Sequence, residues 1–380
     1  MSTPSTVRDS AVTQAAIIDT IRRLVECESP SGDHAAVARS ADLVAELGTR
    51  LLGAAPERIE VDGVVHVRWR FGASTRVLLL AHHDTVWPIG TLRRLPYDVR
   101  AGVLTGPGSF DMKTGLAMAL HAVAGLDDRD GVTILVTGDE ELGSPRSRAL
   151  IEETARGASA ALVLEASADG GALKTERKGV SLYEMVVSGR AAHAGLEPEK
   201  GVNASVELAH VTITAAALTD AAAGTSVTPT VASSGTTTNT VPAAARLWID
   251  VRARTADELE RVDVALRGYV CVTPGASIEV RGGVNRPPLE PGMSAGVFAL
   301  AARLADRLGH EPLTHVAVGG ASDGNFTAGM GVPTLDGLGA VGGGAHADDE
   351  HVLVDEIVPR TRLLTELVAA ISRTEEPWHN

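Results

Sequence analysis

Two histidines and an aspartate end an apolar run in the stretch RVLLLAHHDT, residues 76–85. Side chains alternate between the two faces of a β-strand, so His82 and Asp84 are predicted to share one face, opposite His83. A carboxylate beside a histidine can accept one ring N–H and prepare the other ring nitrogen to bind a metal ion. Taken alone, the stretch is explained at least as well by two histidines that only make structural hydrogen bonds at a strand end.

Acidic residues follow other apolar or glycine-rich segments of the chain. Asp111 stands after the stretch GPGSF at the start of an apolar helix, where it could equally be an ordinary N-cap. Asp139, Glu140 and Glu141 follow the apolar run GVTILVTG. A surface loop could carry three adjacent acids, but ligands and catalytic groups collect at the carboxyl ends of parallel strands. These acids are therefore candidates for catalysis or metal binding.

Two more residues complete this set of candidates. Glu165 follows the run AALVL, and His346 stands in the glycine-rich stretch GGGAHADDE. Carboxylates and imidazoles without a thiolate suit zinc, cobalt or manganese in a hydrolytic site. One carboxylate can bridge two ions about 3.5–4 Å apart, so that the ions share a water molecule. The sequence therefore indicates a metal-dependent hydrolytic site.

The elements that must position these residues alternate between strands and helices. The predicted strands of this part of the chain cover residues 76–81, 131–138 and 160–166. Helices are predicted over 114–126 and 144–157, with Ser144 as the N-cap of the second. Such alternation is typical of an α/β domain that has a mixed, largely parallel sheet flanked by helices.

The pattern changes after about residue 178. The following segment predicts a strand, a helix, a strand, a helix and a strand, which is typical of an α+β module. The chain then returns to the style of its first part. We therefore predict an inserted domain over 179–288, between two parts of one catalytic domain that cover 1–178 and 289–380.

The composition excludes several classes of function. The 380 residues carry a formal net charge of −14 without a basic run, which disfavours nucleic acid and anionic membranes as partners. No apolar stretch reaches the roughly 18 residues that span a bilayer. Two distant cysteines do not make a disulfide framework, and the N-terminal residues lack the apolar region of a secretory signal. We expect a cytoplasmic protein.

The order of the motifs resembles a known family of enzymes, the di-zinc metallopeptidase family twenty of the MH clan. The family includes aminoacylases, glutamate carboxypeptidases, acetylornithine deacetylases and succinyl-diaminopimelate desuccinylases. The resemblance extends over about residues 15–372 and rests on AHHDT, GPGSFDMKTG, GDEELGS, VLEA, GRAAHAG, TNTVPAAARLWIDVRA and GGGAHADDE. Within the family, the stretches WPIGT and GPGSFDMK most resemble the glutamate-carboxypeptidase-like branch. The glutamate at position 165, where some other members have an aspartate, fits the same branch. The implied fold is a zinc-peptidase catalytic domain with an inserted ferredoxin-like dimerisation domain.

The resemblance also implies a metal site with two Zn²⁺ per subunit, for which Co²⁺ or Mn²⁺ could substitute. At the matching positions, His82 and Glu165 bind one ion. Glu141 and His346 bind the other ion, and Asp111 bridges the pair. His83 is not expected to be a ligand.

Further roles follow from matching positions outside the ligand set. Asp84 matches the carboxylate that supports His82, and Glu140 matches the general base that moves a proton from the bridging water to the leaving nitrogen. His193 matches a histidine that reaches across a dimer interface and stabilises the oxyanion of the partner's substrate. Without the resemblance, His193 is better explained as a turn residue.

The remaining matches concern the substrate. Asn239 and Arg252 match positions that bind the free carboxylate of the substrate or the developing oxyanion. The fork of Arg252 suits a carboxylate, although a salt bridge on an exposed strand is equally open. Gly319 and Gly320 would let the backbone approach the substrate, or simply form a tight turn.

The expected activity is hydrolysis of an amide bond next to a free α-carboxylate, in a small molecule or short peptide, by a homodimer. The glutamate-carboxypeptidase type is expected first. The alternative is an N-acyl-amino-acid deacylase of the acetylornithine or succinyl-diaminopimelate type. A non-catalytic binding protein on the same scaffold is disfavoured because all presumed ligands and Glu140 are present.

Overall fold

The computed structural model describes residues 13–373. The N-terminal segment, for which the sequence predicts no apolar signal region, lies largely outside them. The described helices are α1 Gln14–Glu26, α2 His34–Leu52, α3 Thr114–Ala124, α4 Arg148–Ala155, α5 Ala204–Ala216, α6 Ala256–Arg267, α7 Pro291–Arg307, α8 Gly324–Gly329 and α9 Val354–Ser372. In the described range, no helix combines the length and the apolar character that crossing a bilayer requires.

The described strands range from two to ten residues in length. They are β1 Glu57–Val61, β2 Val64–Phe71, β3 Val77–His82, β4 Asp98–Arg100, β5 Val103–Thr105, β6 Val132–Thr137, β7 Ala160–Val163, β8 Leu173–Arg177, β9 Gly179–Ser188, β10 Ala192–His193, β11 Ser226–Ser234, β12 Thr240–Val241, β13 Ala244–Ala253, β14 Ser277–Arg286, β15 His315–Val318, β16 Thr334–Leu335, β17 Gly342–Gly343 and β18 His351–Leu353. The chain divides into two compact units, and one of them consists of Arg177–Glu290 with Gly319–Ala321.

A six-stranded sheet of order β1-β2-β6-β3-β7-β16 forms the centre of the first unit. β3 runs parallel to β6 and to β7, and β16 runs parallel to β7. β2 is antiparallel to both β1 and β6. Every residue of β3, β6 and β7 is buried, as expected for parallel strands that are covered on both faces. The predicted mixed, largely parallel sheet flanked by helices is confirmed.

The alternation of side chains along β3 explains how the sheet binds its two layers of helices. Leu79 and Ala81 belong to the larger core, which also contains residues of α1, α2, α3, α7 and α9. Leu78 and Leu80 face the other way, into a smaller core with residues of α4 and α8. Burial of apolar surface on both sides fixes the sheet, and with it the positions at which its strands end.

A second, small sheet of the first unit has the order β17-β18-β5-β4. The loop that joins β17 to β18 contains His346, and the turn that follows β5 leads to Asp111. β18 pairs with β5 in antiparallel register, with His351 opposite Thr105. This pairing brings the loop with His346 close to the turn that leads to Asp111, although the two segments are far apart in the sequence.

Apart from the two-residue strands β10 and β12, which pair with each other, the second unit has the strand and helix order β9-α5-β11-β13-α6-β14. Its four-stranded antiparallel sheet has the order β11-β13-β9-β14. This is the βαββαβ arrangement of ferredoxin-like domains. Its core contains Leu247, Ile249 and Val251 of β13 with apolar residues of both helices. The use of this unit for dimerisation stays a prediction.

Two details of the fold differ from the sequence-based expectations. The sequence predicted only three strands in the second unit and missed the two-residue strands β10 and β12 as well as β11, an edge strand rich in Ser and Thr with an irregular register at Pro229. Proline within a strand is tolerated at such an edge. Ser144 is not an N-cap, because α4 begins only at Arg148. Instead, Ser144 adopts a left-handed backbone conformation and its hydroxyl donates a hydrogen bond to Asp323.

Candidate metal centre

The first residues of the site lie at one edge of the central sheet, where the parallel strands β3, β6 and β7 end. His82 is the last residue of β3, and Glu165 lies just beyond the end of β7. Glu140 and Glu141 open a short turn, Glu140–Leu142, just after β6. Because neighbouring parallel strands end at the same edge, these side chains converge although they are distant in sequence.

Five side chains of the first unit form two groups with ligand-type atoms. The Nε2 atom of His82 lies 3.4 Å from Oδ1 of Asp111 and 3.6 Å from Oε1 of Glu165. The Nε2 atom of His346 lies 3.2 Å from Oδ2 of Asp111 and 3.2 Å from Oε2 of Glu141. Within each group, the ligand atoms lie within 4.8 Å of one another. Asp111 belongs to both groups and turns one oxygen toward each histidine.

These distances fit a pair of divalent ions. Two atoms that each lie about 2.1 Å from a tetrahedral zinc ion are about 3.4 Å apart. In addition, Oδ1 of Asp111 and Oε1 of Glu141 are buried and have no hydrogen-bond partner among residues 13–373. Buried carboxylate oxygens without a partner are costly, and a cation satisfies them. The residues therefore fit two metal ions that share Asp111.

The pKa values of the residues in the two ligand groups show that the carboxylates favour positive charge beside them. Burial lowers the pKa of His82, but the nearby carboxylates of Asp111 and Asp84 outweigh this effect, so that the pKa lies well above its usual value. Hydrogen bonds to Asp111 and Glu141 raise the pKa of His346 to about 10. Although burial opposes ionisation of Asp111, the two histidines hold its pKa below the usual value.

Asp84 supports the site in a way that strand alternation does not predict. β3 ends at His82, and Nδ1 of His82 lies 3.0 Å from the Asp84 carbonyl oxygen but 3.5 Å from its Oδ1. The fully buried carboxylate accepts hydrogen bonds from the hydroxyl of Ser31 at 2.6 Å and from the N–H groups of Glu140 and Glu141 at 3.2 Å each. Asp84 thus holds the turn that carries both glutamates.

His83 and His66 are buried but lie outside both groups of ligands. His83 is fully buried, and its Nε2 lies 3.0 Å from the carbonyl oxygen of Val65. Burial lowers the pKa of His83 to about 4, so its ring is neutral at pH 7. His66 is also fully buried, and its Nδ1 accepts a hydrogen bond from the N–H of Gly138. Burial likewise lowers the pKa of His66, for which the sequence indicated no role.

The loop between β17 and β18 carries one predicted ligand and one residue that sequence reasoning missed. His346 has a φ of 62°, a left-handed conformation that costs a non-glycine residue about 1–2 kcal/mol. Glu350 in the same loop is only 3% exposed and accepts hydrogen bonds from the segment that carries Asp111. Within ADDE, nothing in the sequence distinguishes Glu350 from Asp348, whose side chain is 70% exposed.

The second unit holds the other predicted residues, and two of them lie close together. β10 pairs with β12, and the N–H of Ala194 donates a 2.9 Å hydrogen bond to the carbonyl oxygen of Asn239. His193 is exposed, and its Nδ1 accepts hydrogen bonds of 3.1 Å from the N–H groups of Gly195 and Leu196. In its neutral form, the ring of His193 therefore carries its proton on Nε2.

Arg252, Gly319 and Gly320 occupy separate positions in the second unit. Arg252 lies on β13, and its Nε and Nη2 donate hydrogen bonds of 2.8 Å and 2.9 Å to the two oxygens of Asp250. Both glycines are exposed, and the carbonyl oxygen of Gly320 accepts a 3.0 Å hydrogen bond from Arg177. The arginine fork is thus already paired with a carboxylate of its own strand.

Comparison with known proteins identifies the family. Residues 78–370 match the family model of peptidase family M20/M25/M40, and the chain belongs to this family of hydrolases. The resemblance inferred from the motifs is confirmed.

Individual relatives agree with this assignment. Carboxypeptidase G2 of Pseudomonas sp. (strain RS-16) is 31% identical over 367 residues, which cover 91% of this chain and 87% of the relative. Succinyl-diaminopimelate desuccinylase of Caulobacter vibrioides (strain NA1000 / CB15N) is 27% identical over 331 residues, 80% of this chain and 84% of the relative. The crystal structure of aminopeptidase PepT from Bacillus cereus ATCC 10987 superposes with a TM-score of 0.72 at 22% identity, covering 96% of this chain and 100% of that one. The last similarity shows a shared fold.

Proposed function

We propose that the protein is a di-zinc hydrolase that cleaves an amide bond next to a free α-carboxylate. The observation that supports this most is Asp111, whose two oxygens lie toward two separate histidine and carboxylate groups. In this proposal, His82 and Glu165 hold one ion, Glu141 and His346 hold the other, and Asp111 holds both. When bound, such an ion pair supplies a water of lowered pKa and polarises the scissile carbonyl group.

Glu140 is the proposed general base. The backbone of Glu140 is anchored to Asp84, and its side chain does not belong to either ligand group. Its neighbour Glu141 takes part in the second group, so adjacent glutamates have different tasks. In the proposed reaction, the Glu140 carboxylate takes the proton of the attacking water and then delivers it to the leaving nitrogen. The amide C–N bond breaks, and a carboxylic acid and an amine are formed.

His193 is the proposed donor to the oxyanion of the tetrahedral intermediate. The hydrogen bonds that Nδ1 accepts leave Nε2–H as the donor of an exposed ring, which suits an oxyanion outside the unit. We further propose a homodimer in which His193 of one subunit acts in the site of its partner. A location in the cytoplasm is also proposed, in keeping with two free cysteines, Cys27 and Cys271.

Arg252 and Asn239 are the proposed partners of the free carboxylate of the substrate. Arg252 uses two of its N–H groups on Asp250, and a guanidinium group has five. The remaining donors suffice for a carboxylate, while Asp250 fixes the orientation of the fork. Gly319 and Gly320 are exposed backbone positions that we assign to the substrate side of the second unit.

The carboxypeptidase type is favoured over the deacylase type because the relative named carboxypeptidase G2 is 31% identical, against 27% for the desuccinylase. A parallel panel of folyl-glutamate, N-acyl-glutamate and acetylornithine separates the two types. Release of C-terminal glutamate supports the carboxypeptidase, and turnover of acetylornithine alone supports the deacylase. The proposed activity is contradicted if the zinc-loaded protein hydrolyses none of these three amides and also leaves N-succinyl-diaminopimelate intact.

A further inference from the structure

Glu350 is a buried carboxylate whose four hydrogen-bond donors include no basic side chain. Its Oε1 accepts from the N–H groups of Phe110 at 2.8 Å and Asp111 at 3.1 Å. Its Oε2 accepts from the N–H of Gly108 at 2.9 Å and from Nε1 of Trp87 at 2.8 Å. Burial of a carboxylate away from water is costly, so a buried glutamate at this position calls for a structural or functional reason.

The segment that Glu350 binds has an irregular backbone. Asp111 has φ −116° and ψ 99°, which is not helical, and α3 begins only at Thr114. Three N–H groups between Gly108 and Asp111 therefore turn toward one carboxylate, an arrangement that backbone turns commonly use to bind anions. Glu350 supplies the acceptors that fix the backbone of Asp111.

Glu350 also belongs to the loop of the second histidine. It follows His346 by four residues, and its N–H donates to the carbonyl oxygen of Ala347, which closes a turn within the loop. The pairing of His351 with Thr105 brings this loop beside the turn after β5. One side chain thus ties the backbone of Asp111 to the loop of His346.

We propose that Glu350 is a positioning residue that sets the separation between Asp111 and His346, and thereby the geometry of the metal pair. This rests on the proposed metal binding by these two residues. Nε2 of His346 lies 3.2 Å from Oδ2 of Asp111. The Glu350 carboxylate binds the backbone N–H of Asp111, and Glu350 itself belongs to the loop that carries His346.

A substitution by glutamine tests this role sharply. Each oxygen of Glu350 accepts from two N–H donors, so the amide of Glu350→Gln turns an NH₂ group toward N–H donors in either orientation. Glu356→Gln is the matched control, because Glu356 is exposed in the first turn of α9. Trp87→Phe is a milder second variant that removes one donor and keeps the carboxylate.

The experiment is titration of the full chain with Co²⁺ and with Zn²⁺, together with the visible absorption spectrum of bound Co²⁺. We expect Glu350→Gln to bind these ions about 10- to 100-fold more weakly, as is typical when a partner of a metal ligand is lost. Its Co²⁺ spectrum changes, because the ligand geometry changes. Trp87→Phe shifts the affinity in the same direction by less, and Glu356→Gln matches the wild type.

Two outcomes overturn the role of Glu350. One is a folded Glu350→Gln variant with the affinity and Co²⁺ spectrum of the wild type. If Glu350→Gln does not fold, Trp87→Phe decides, and unchanged binding and spectrum contradict the role. If the wild type binds two ions but hydrolyses no amide, the proposed activity fails while the comparison of affinities still decides on Glu350. A wild type that binds no divalent ion refutes both.

Discussion

Replacement of Glu140 by glutamine separates base catalysis from metal binding. The two side chains have nearly the same size, and the N–H of residue 140 still donates to Asp84. Because Glu140 belongs to neither ligand group, Glu140→Gln is expected to keep both metal ions and the fold. The variant lacks only a group that can accept and return a proton.

The expected magnitude follows from the contribution of a general base. Removal of a positioned base costs about 10²- to 10⁴-fold in kcat, which corresponds to about 3–5 kcal/mol of the activation barrier. KM is expected to stay close to that of the wild type, since the proposed substrate contacts lie elsewhere. The assay is steady-state amide hydrolysis with zinc content measured on the same samples, and Glu356→Gln serves as the control. Full turnover by Glu140→Gln with two bound zinc ions refutes the assignment of the base.

Three further predictions concern the second unit. Mixing His193→Ala with Glu140→Ala subunits is expected to restore part of the activity, and no recovery after demonstrated subunit exchange contradicts a role of His193 across the interface. Arg252→Lys loses the forked contact with a carboxylate, so KM is expected to rise about 10-fold or more for substrates with a free α-carboxylate. KM for the same substrates with an amidated carboxyl group should not change, and an equal rise for both kinds of substrate contradicts this role. Burial opposes ionisation of Glu207, but hydrogen bonds from a threonine, a tyrosine hydroxyl and backbone N–H groups lower its pKa to about 2, from 4.5. Its stabilisation is therefore present above pH 4.5 and is lost as the pH falls toward 2. Glu207→Gln should cost about 2–3 kcal/mol in urea unfolding at pH 7 and progressively less in acid, and a constant difference across this range argues against it.

The strands that position the site were predictable because their sequences are unambiguous. β3, β6 and β7 are continuous apolar runs, and such runs read as buried parallel strands when helical segments separate them. β11 was missed because an edge strand needs no apolar run and tolerates Pro229. Ser144 was misassigned because its hydroxyl binds Asp323, a residue whose proximity only the tertiary structure creates.

The convergence of the acids and histidines was predictable in part. Parallel strands end at one edge, which brings His82 near Glu165 without knowledge of the whole fold. The local turn decides which of the glutamates after β6 approaches His346, and local sequence does not encode that choice. The burial of Glu350 depends on donors about 240 residues earlier in the chain, such as Gly108 and Phe110. A single sequence carries no signal for such a contact.

The most direct test of the central claim is the number and position of the bound metal ions. Anomalous diffraction at the zinc edge, on crystals of the zinc-loaded protein, should show two ions, with one oxygen of Asp111 toward each. Asp111→Asn keeps at most one of these oxygens, so its zinc content should fall from two ions to one or fewer per chain. Two fully occupied zinc ions in Asp111→Asn, or a single ion in the wild type, would contradict the shared-carboxylate site.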